Sequence, residues 1–427
     1  MSHDPRPTTH PPTYSIITFG CRVNQADSLV IERDLRARGA IDAPAEQADL
    51  LVVNTCSVTA NADQAARQTI RRIVKGNPSV RVVVTGCYAT RRPDEIASLP
   101  NVVRVVPNCD KDDLVDVLRR TGLAEQPRQE ITSVRFGDGD GACGDPLVPG
   151  VAGRTAMTLR VQTGCGQTCS YCIIPTTRGA SRSRPLASVL ADVTRATAAG
   201  YKEIAITGVH LGSYGRDLGE PSSLAELVGV LAEWPDDVLF RISSLEPMDC
   251  TPEIVDLVAA SARLAPHFHL PLQHGSNDML RAMRRPYTAE YFSDLVGLIR
   301  TRMPHASLGS DLIVGFPGET DSHFEQTRSA LERLPLTHLH VFPYSDRPGT
   351  EASGMHPKVD GTLTRERGRQ LRAIGSEMSR RFRESQVGSV RRALVVDDGW
   401  SAVTDNYLKL RLDQQHARNE WVTIPVS

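Results

Sequence analysis

The sequence predicts a multidomain α/β protein with an N-terminal parallel α/β domain, a central partial (β/α)6 barrel and a small C-terminal β-barrel. Short β-branched runs alternate with helical patterns from Tyr14 to about Leu118, and again, six times, from Met157 to about Ser345. From Gln386 onward, short strand-like pieces (RRALVVDD, NYLKLRL, EWVTIPV) are separated by turn residues. A chain of 427 residues also exceeds one ordinary hydrophobic core.

In the first domain, expected over residues 14–120, the runs YSIITFGC, LLVVNTC and VRVVVTGC each end in a cysteine. Continuous apolar strands followed by ADSLVIERDLRARG and DQAARQTIRRIVKG predict a sheet buried on both faces. The carboxyl ends of parallel strands share one edge, where ligands bind. Cys21, Cys56 and Cys87 therefore fall at one structural phase and predict a shared ligand. A linker is expected over 121–153, where GDGDGACGDPLVPG lacks periodicity. The Asp138 and Asp140 pair lacks a closing glutamate, which argues against a calcium loop.

The central domain, expected over 154–350, contains TLRVQ, EIAITG, VLFRIS, HFHLPL, ASLGSDLIVG and HLHVFP as strands. Six strand–helix repeats suit a partial barrel better than an eight-stranded one. The strand ends are polar or glycine-rich: Thr207–Gly208, Ser243 to Glu246, Gln273 to Ser276, and Gly315 to Glu319. A basic helical connector is expected over 351–385, and the C-terminal module over 386–427. Residues 361–392 hold nine arginines against three acids, a local net of +6.

The composition, 40% hydrophobic and 23% charged, excludes collagen-like, mucin-like and largely disordered classes. The overall charge of −1 gives no long-range pull towards nucleic acid or membrane, so any such attraction is local. The first fourteen residues hold four prolines and no apolar run, and no stretch is apolar enough to span a bilayer. A cytoplasmic protein without a membrane partner is expected, where thiols stay reduced. Nine cysteines in such a chain suggest metal rather than disulfides.

The strongest motif is Cys165–Gly166–Gln167–Thr168–Cys169–Ser170–Tyr171–Cys172, directly after the first strand of the central domain. Three thiolates within eight residues can wrap one iron–sulfur cluster. A closed zinc site would need a fourth ligand, for which His210 or Cys250 stands available. This motif resembles the signature of the radical S-adenosylmethionine enzymes. The whole chain from Tyr14 resembles their methylthiotransferase family: GCRVNQADS, VVNTCSVTANAD and TGCYA, then the radical domain, then a C-terminal TRAM domain. CIIPTTRGASRSRP, TGVHLGSYGRDL, RISSLEP, LPLQHGSNDMLRAMRRPYT, DLIVGFPGET and HVFPYSDRPGT look most like the branch that methylthiolates threonylcarbamoyladenosine at position 37 of tRNA. The sister branches act on isopentenyladenosine and on a ribosomal protein.

The resemblance implies two 4Fe-4S clusters, on Cys21, Cys56 and Cys87 and on Cys165, Cys169 and Cys172, with two S-adenosylmethionine molecules consumed. One supplies a methyl group and the other a 5′-deoxyadenosyl radical. By the same analogy Tyr171, Thr207, Gly208, Ser243, Glu246, Gln273, Gly315 and Glu319 would stand around S-adenosylmethionine. Asn24 and Asn54 would orient the first thiol set or serve as turn residues. The implied partners are a tRNA anticodon loop and a flavodoxin- or ferredoxin-like electron donor, with the sulfur source open. Arg178, Arg182, Arg184, Arg380, Arg381 and Arg383 are the candidate RNA contacts. Two other classes compete: a metal-dependent barrel hydrolase using His267, His269, His338 and His340, and an RNA-binding protein with structural zinc in both cysteine sets. Cys109, Cys143 and Cys250 have no assigned role.

Overall fold

The computed structural model describes residues 11–120, 155–219 and 222–427. The expected linker, Cys143, Asp138 and Asp140 lie outside these residues. Two compact units emerge: one takes the described residues up to 120 together with Ile173–Gly179, the other takes the remainder.

The first unit is a five-stranded, wholly parallel sheet. Its strands are β1 (Thr13–Thr18), β2 (Ile41–Asp42), β3 (Leu50–Thr55), β4 (Arg81–Gly86) and β5 (Val102–Val106), in the order β2-β1-β3-β4-β5. β3 is buried at every position and β4 at all but its first. Because side chains alternate faces, Leu51, Val53, Val82 and Val84 join one core with Ile70, while Leu50, Val52 and Val83 join another with Ile31 and Leu35. Helices Arg22–Arg36 and Ala60–Gly76 supply those partners, as their apolar spacing predicts. β2 and β5 are additions to the three expected strands.

In the second unit the six expected strands all form: β6 (Met157–Arg160), β9 (Glu203–Thr207), β10 (Leu239–Ile242), β11 (His267–His269), β12 (Ser307–Val314) and β13 (His338–Pro343). A short antiparallel pair, β7 (Gln162–Thr163) and β8 (Arg182–Ser183), brackets the cysteine motif. The six strands are parallel and divide into two sheets of three, β6-β9-β10 and β11-β12-β13. A parallel bridge between Phe240 and Leu264 joins β10 to the segment entering β11. One large core, including Phe240, Phe268, Leu308 and Leu312, lies between these strands and their helices.

The basic connector contains one long helix, Gly361–Gln386, whose first turn is capped by Asp360 accepting from the backbone of Thr362 and Leu363. Its buried stripe runs through Arg367, Leu371, Gly375, Met378 and Phe382 at three- and four-residue spacing. After it, β14 (Val390–Val396), β15 (Ser401–Thr404), β16 (Lys409–Arg411) and β17 (Trp421–Pro425) form a four-stranded antiparallel sheet in the order β16-β15-β14-β17. That sheet is anchored on Arg241 of β10, which is fully buried. Arg241 makes two 3.1 Å bonds to the Glu203 carboxylate, donates to the Asp405 carbonyl at 3.1 Å and lies over the Tyr407 ring.

Leu51→Ala should cost about 2–5 kcal/mol because it opens a cavity in a closed core, whereas Val103→Ala, on the exposed part of β5, should stay within about 0.5 kcal/mol. Denaturant midpoints of the two variants check this.

Candidate metal centres

The first thiol set stands at the carboxyl edge of the N-terminal sheet. Cys21 precedes helix Arg22–Arg36, Cys56 directly follows β3, and Cys87 opens the short helix Cys87–Arg91. Two glycines make this close approach possible. A Cβ on Gly20, at φ +94°, would fall 2.7 Å from the Cys56 sulfur, and one on Gly86, at φ +98°, 2.2 Å from the Thr55 carbonyl. Cys21 is exposed; Cys56 and Cys87 are buried. Burial pushes the Cys56 thiol up to about 11, and the neighbouring Cys21 and Cys87 push it further the same way. A group that replaces these protons must bring positive charge of its own, as a metal cluster does. The Val58 amide lies 3.5 Å and the Asn108 amide nitrogen 3.6 Å from the sulfurs of Cys56 and Cys87, as donors.

Asn24 and Asn54 cross-tie the loops around this set. Asn24 donates to the carbonyls of Phe19 and Thr55 at 2.8 and 3.0 Å; Asn54 donates to the Asn24 carbonyl and to Ser28 at 2.7 and 2.9 Å. Beneath them is an ion-pair network that the sequence reading missed. The Asp27 carboxylate, fully buried, receives Lys111 at 2.9 Å and Arg178 at 3.0 Å, and Lys111 also donates to Asn54 at 2.9 Å.

Arg178 is therefore a correction. Expected on an RNA-facing surface, its side chain is 3% exposed and held by Asp27 and Asn24. Its guanidinium serves the interior because burying a charge demands such pairing. Arg182 is exposed, and Arg184 is half-buried against Asp192 at 2.5 Å. Arg380 and Arg381 are exposed and pair with Glu377, Arg380 also with Glu384, while Arg383 donates to the Lys409 carbonyl. Exposed pairs of this kind contribute little to stability. Arg365, Arg369 and Arg372 are exposed as well, but Arg367 is buried against Glu319 and Asp321.

The second thiol set lies on the loop between β7 and the segment Ile173–Gly179. All three thiols are half-buried, and the turn is closed by the Cys172 amide donating to the Cys169 carbonyl at 3.1 Å. Amide donors approach the sulfurs, Gln167 N lying 3.4 Å from Cys165. Arg285 reaches Cys169 at 3.3 Å and pairs with Glu246. Burial raises the Cys169 pKa, and Arg285 works against that rise. His210 bonds Asp249 at 2.8 Å. Burial alone would lower its pKa, but hydrogen bonds to Asp249 and Cys165 outweigh this and carry it to about 9. Cys250 is buried, its thiol pushed up to about 12 by burial.

The loop rests on Gln162, which sequence reasoning also missed. Its amide donates to the Gly164 carbonyl at 2.8 Å and to Ser181, and its oxygen accepts from the His210 amide. A Cβ on Gly208 would fall 2.9 Å from that oxygen, so the second-strand turn closes directly on Gln162. Thr207 and Ser243 share a 3.1 Å hydrogen bond across β9 and β10. Tyr171 packs edge-on to Phe316 in an apolar cluster with Met279 and Met283. Gln273 adopts φ +70° and bridges to Leu312. Glu319 is corrected from a cofactor contact to a brace. Its side chain is fully buried, one oxygen accepting from the Gly315 and Phe316 amides and the other pairing with Arg367 at 3.2 Å.

Residues 13–107 match the family model described as "Uncharacterized protein family UPF0004", and residues 159–331 match the Radical SAM superfamily. The threonylcarbamoyladenosine tRNA methylthiotransferase MtaB of Aquifex aeolicus is 35% identical over 92% of this chain and 95% of its own. The corresponding protein of Bacillus subtilis is 34% identical over 93% and 90%. The chain belongs to the radical S-adenosylmethionine methylthiotransferase family, in its MtaB branch. A second branch of the family is also similar: the tRNA-2-methylthio-N(6)-dimethylallyladenosine synthase of Parafrankia sp. is 33% identical over 91% of this chain and 78% of its own. Among solved structures, the radical S-adenosylmethionine methyltransferase TsrM of Kitasatospora setae shares the fold, with a TM-score of 0.57, 17% identity, and coverage of 80% of this chain and 74% of its own. For a methylthiotransferase, the Cys165, Cys169 and Cys172 loop is the expected radical-domain motif, and the thiols and donors present fit an iron–sulfur cluster.

Arg178→Ala removes one partner of a buried carboxylate and should cost about 3–5 kcal/mol, against at most about 0.5 kcal/mol for Arg182→Ala. Equal stability of the two variants in denaturant would contradict the buried role.

Proposed function

We propose that this methylthiotransferase converts N6-threonylcarbamoyladenosine at position 37 of tRNA to its 2-methylthio derivative, with two 4Fe-4S clusters and two molecules of S-adenosylmethionine. The observation that carries the reading is the pairing of two separate three-thiol sets with relatives named for that reaction. Four relatives named MtaB are 34–35% identical and a fifth is 31% identical, while three named for dimethylallyladenosine are 32–33% identical.

Cys165, Cys169 and Cys172 would hold the cluster of the radical domain, and Cys21, Cys56 and Cys87 the second. The cluster on Cys165, Cys169 and Cys172 would supply the electron for reductive cleavage of S-adenosylmethionine, and that on Cys21, Cys56 and Cys87 would supply sulfur for transfer. Arg285 and the Gln167 amide direct hydrogen-bond donors at the sulfurs of Cys169 and Cys165. Gln162 holds the loop carrying them, and Thr207, Gly208, Ser243, Glu246, Gln273 and Gly315 line strand ends where the methionyl and adenosyl groups would sit. Tyr171 packs on the apolar side and excludes water. Asn108 and the Val58 amide play the corresponding part at the first set.

The tRNA would meet the exposed arginines of helix Gly361–Gln386, with Arg182 and Arg184, and the antiparallel sheet that follows would act as the TRAM module. Among the described residues, no helix is long and apolar enough to cross a membrane. A cytoplasmic site of action, with a flavodoxin- or ferredoxin-like electron donor, fits that reading.

Mass spectrometry of tRNA nucleosides from a deletion strain should show loss of 2-methylthio-threonylcarbamoyladenosine, restored by the intact gene. Loss of the methylthio-isopentenyl nucleoside instead would move the chain to the sister branch. Replacing Arg380, Arg381 and Arg383 together with alanine should weaken tRNA binding by about tenfold or more at low salt without changing iron content. An unchanged affinity would remove the helix from the RNA interface.

A further inference from the structure

Four histidines and one aspartate share a face of the sheet β11-β12-β13. His269, Gly309 and His338 lie in register across the three strands, and Asp311 stands opposite His340. The alternate residues Phe268, Leu308 and Leu312 point into the hydrophobic core, so the polar set occupies the other face. His269 Nε2 lies 2.8 Å and His340 Nδ1 3.2 Å from the same Asp311 oxygen. Gly309 makes the room: a Cβ there would fall 2.0 Å from His338 Nε2 and 2.8 Å from His269 Nδ1.

The members differ in access. The His269 and Asp311 side chains are 12% and 24% exposed, whereas His340 is 57% exposed. With Nδ1 engaged by Asp311, Nε2 is the second ring nitrogen of this exposed side chain. Burial alone would raise the Asp311 pKa, but hydrogen bonds from His269 and His340 hold it below the usual carboxylate range. The bond to Asp311 raises the His340 pKa, so its charged form is favoured, while burial keeps His338 neutral by lowering it to about 4. Asp311 also sits beside the cofactor-side turn, its carbonyl accepting from the Gln273 amide at 2.8 Å.

An apolar N6 substituent pressed against this set would strip water from an imidazole and a carboxylate without replacing its hydrogen bonds. Protonated His340 would carry an Nε2–H as well as its bond to Asp311, and an acidic substituent would offer that hydrogen an acceptor. We infer that His340, oriented by Asp311 and with His269 beside it, binds the carboxylate of the N6 substituent and so selects threonylcarbamoyladenosine over dimethylallyladenosine. The inference rests on the proposed tRNA substrate and names the residues that distinguish it.

The test measures binding of iron-loaded protein to three synthetic anticodon stem-loops. They are identical except for an N6-threonylcarbamoyl, an N6-dimethylallyl or an unmodified adenine. The intact protein should prefer the first by about tenfold or more, the worth of one charge-assisted hydrogen bond. His340→Leu and Asp311→Asn should lose that preference while keeping iron content and affinity for the unmodified loop. A preference that survives in His340→Leu overturns the inference and leaves the proposed function standing. An equal loss for all three loops also overturns it. If the intact protein neither prefers nor methylthiolates the threonylcarbamoyl loop, the proposed function falls as well. The ligand atoms of His269, Asp311 and His340 lie within 4.8 Å of one another. One zinc per chain, present in the intact protein and absent from Asp311→Asn, would make this a metal site instead and overturn carboxylate recognition.

Discussion

The first thiol set and the cofactor-side strand ends depend on one constraint: parallel strands deliver their carboxyl ends to a common edge. β3 and β4 have no solvent-facing side, so their polar residues concentrate where the chain leaves the sheet. Cys56 and Cys87 stand at that exit, and Cys21 joins them from the end of β1. The edge gathers three thiols without any of them being close in sequence. The same rule in the second unit aligns Thr207, Ser243, Gln273 and Gly315 at successive strand ends.

Gathering thiols in a buried place has an electrostatic consequence. Burial disfavours thiolate, as the raised Cys56 and Cys169 pKa values express, while ligation requires it. The chain meets this with donors and cations: Asn108 and Val58 towards the first set, and Arg285 and Gln167 towards the second. Lys111 and Arg178, both bound to Asp27, place positive charge close to Cys87 of the first set. Asp27 therefore ties helix Arg22–Arg36 to two segments far away in sequence.

The sequence shows the strands and thiol sets clearly because both follow local rules, periodicity for the first and spacing for the second. β5 escaped notice because its central residues are exposed, so VVRVV does not read as a fully buried run. Arg178 was misjudged because nearness to the cysteine motif says nothing about burial, and its partner Asp27 is 151 residues away. Gln162 and Arg285 were invisible for a similar reason: a buried amide or guanidinium is recognised by what surrounds it. The histidine pairs on β11 and β13 were visible, but the carboxylate between them was not, since Asp311 is brought there only by strand register. Glu319 lies in a recognisable turn, yet its inward rotamer makes it part of the scaffold.

The central claim is that the two thiol sets are independent cluster sites. Iron and sulfide analysis after anaerobic preparation tests it directly, on the intact protein and on two triple-alanine variants, one for each set. The account predicts about eight irons in the intact protein and about four in each variant, with the broad visible absorption of iron–sulfur clusters in all three. Colourless, zinc-loaded protein, or the loss of all iron from a variant that keeps one set, would contradict it.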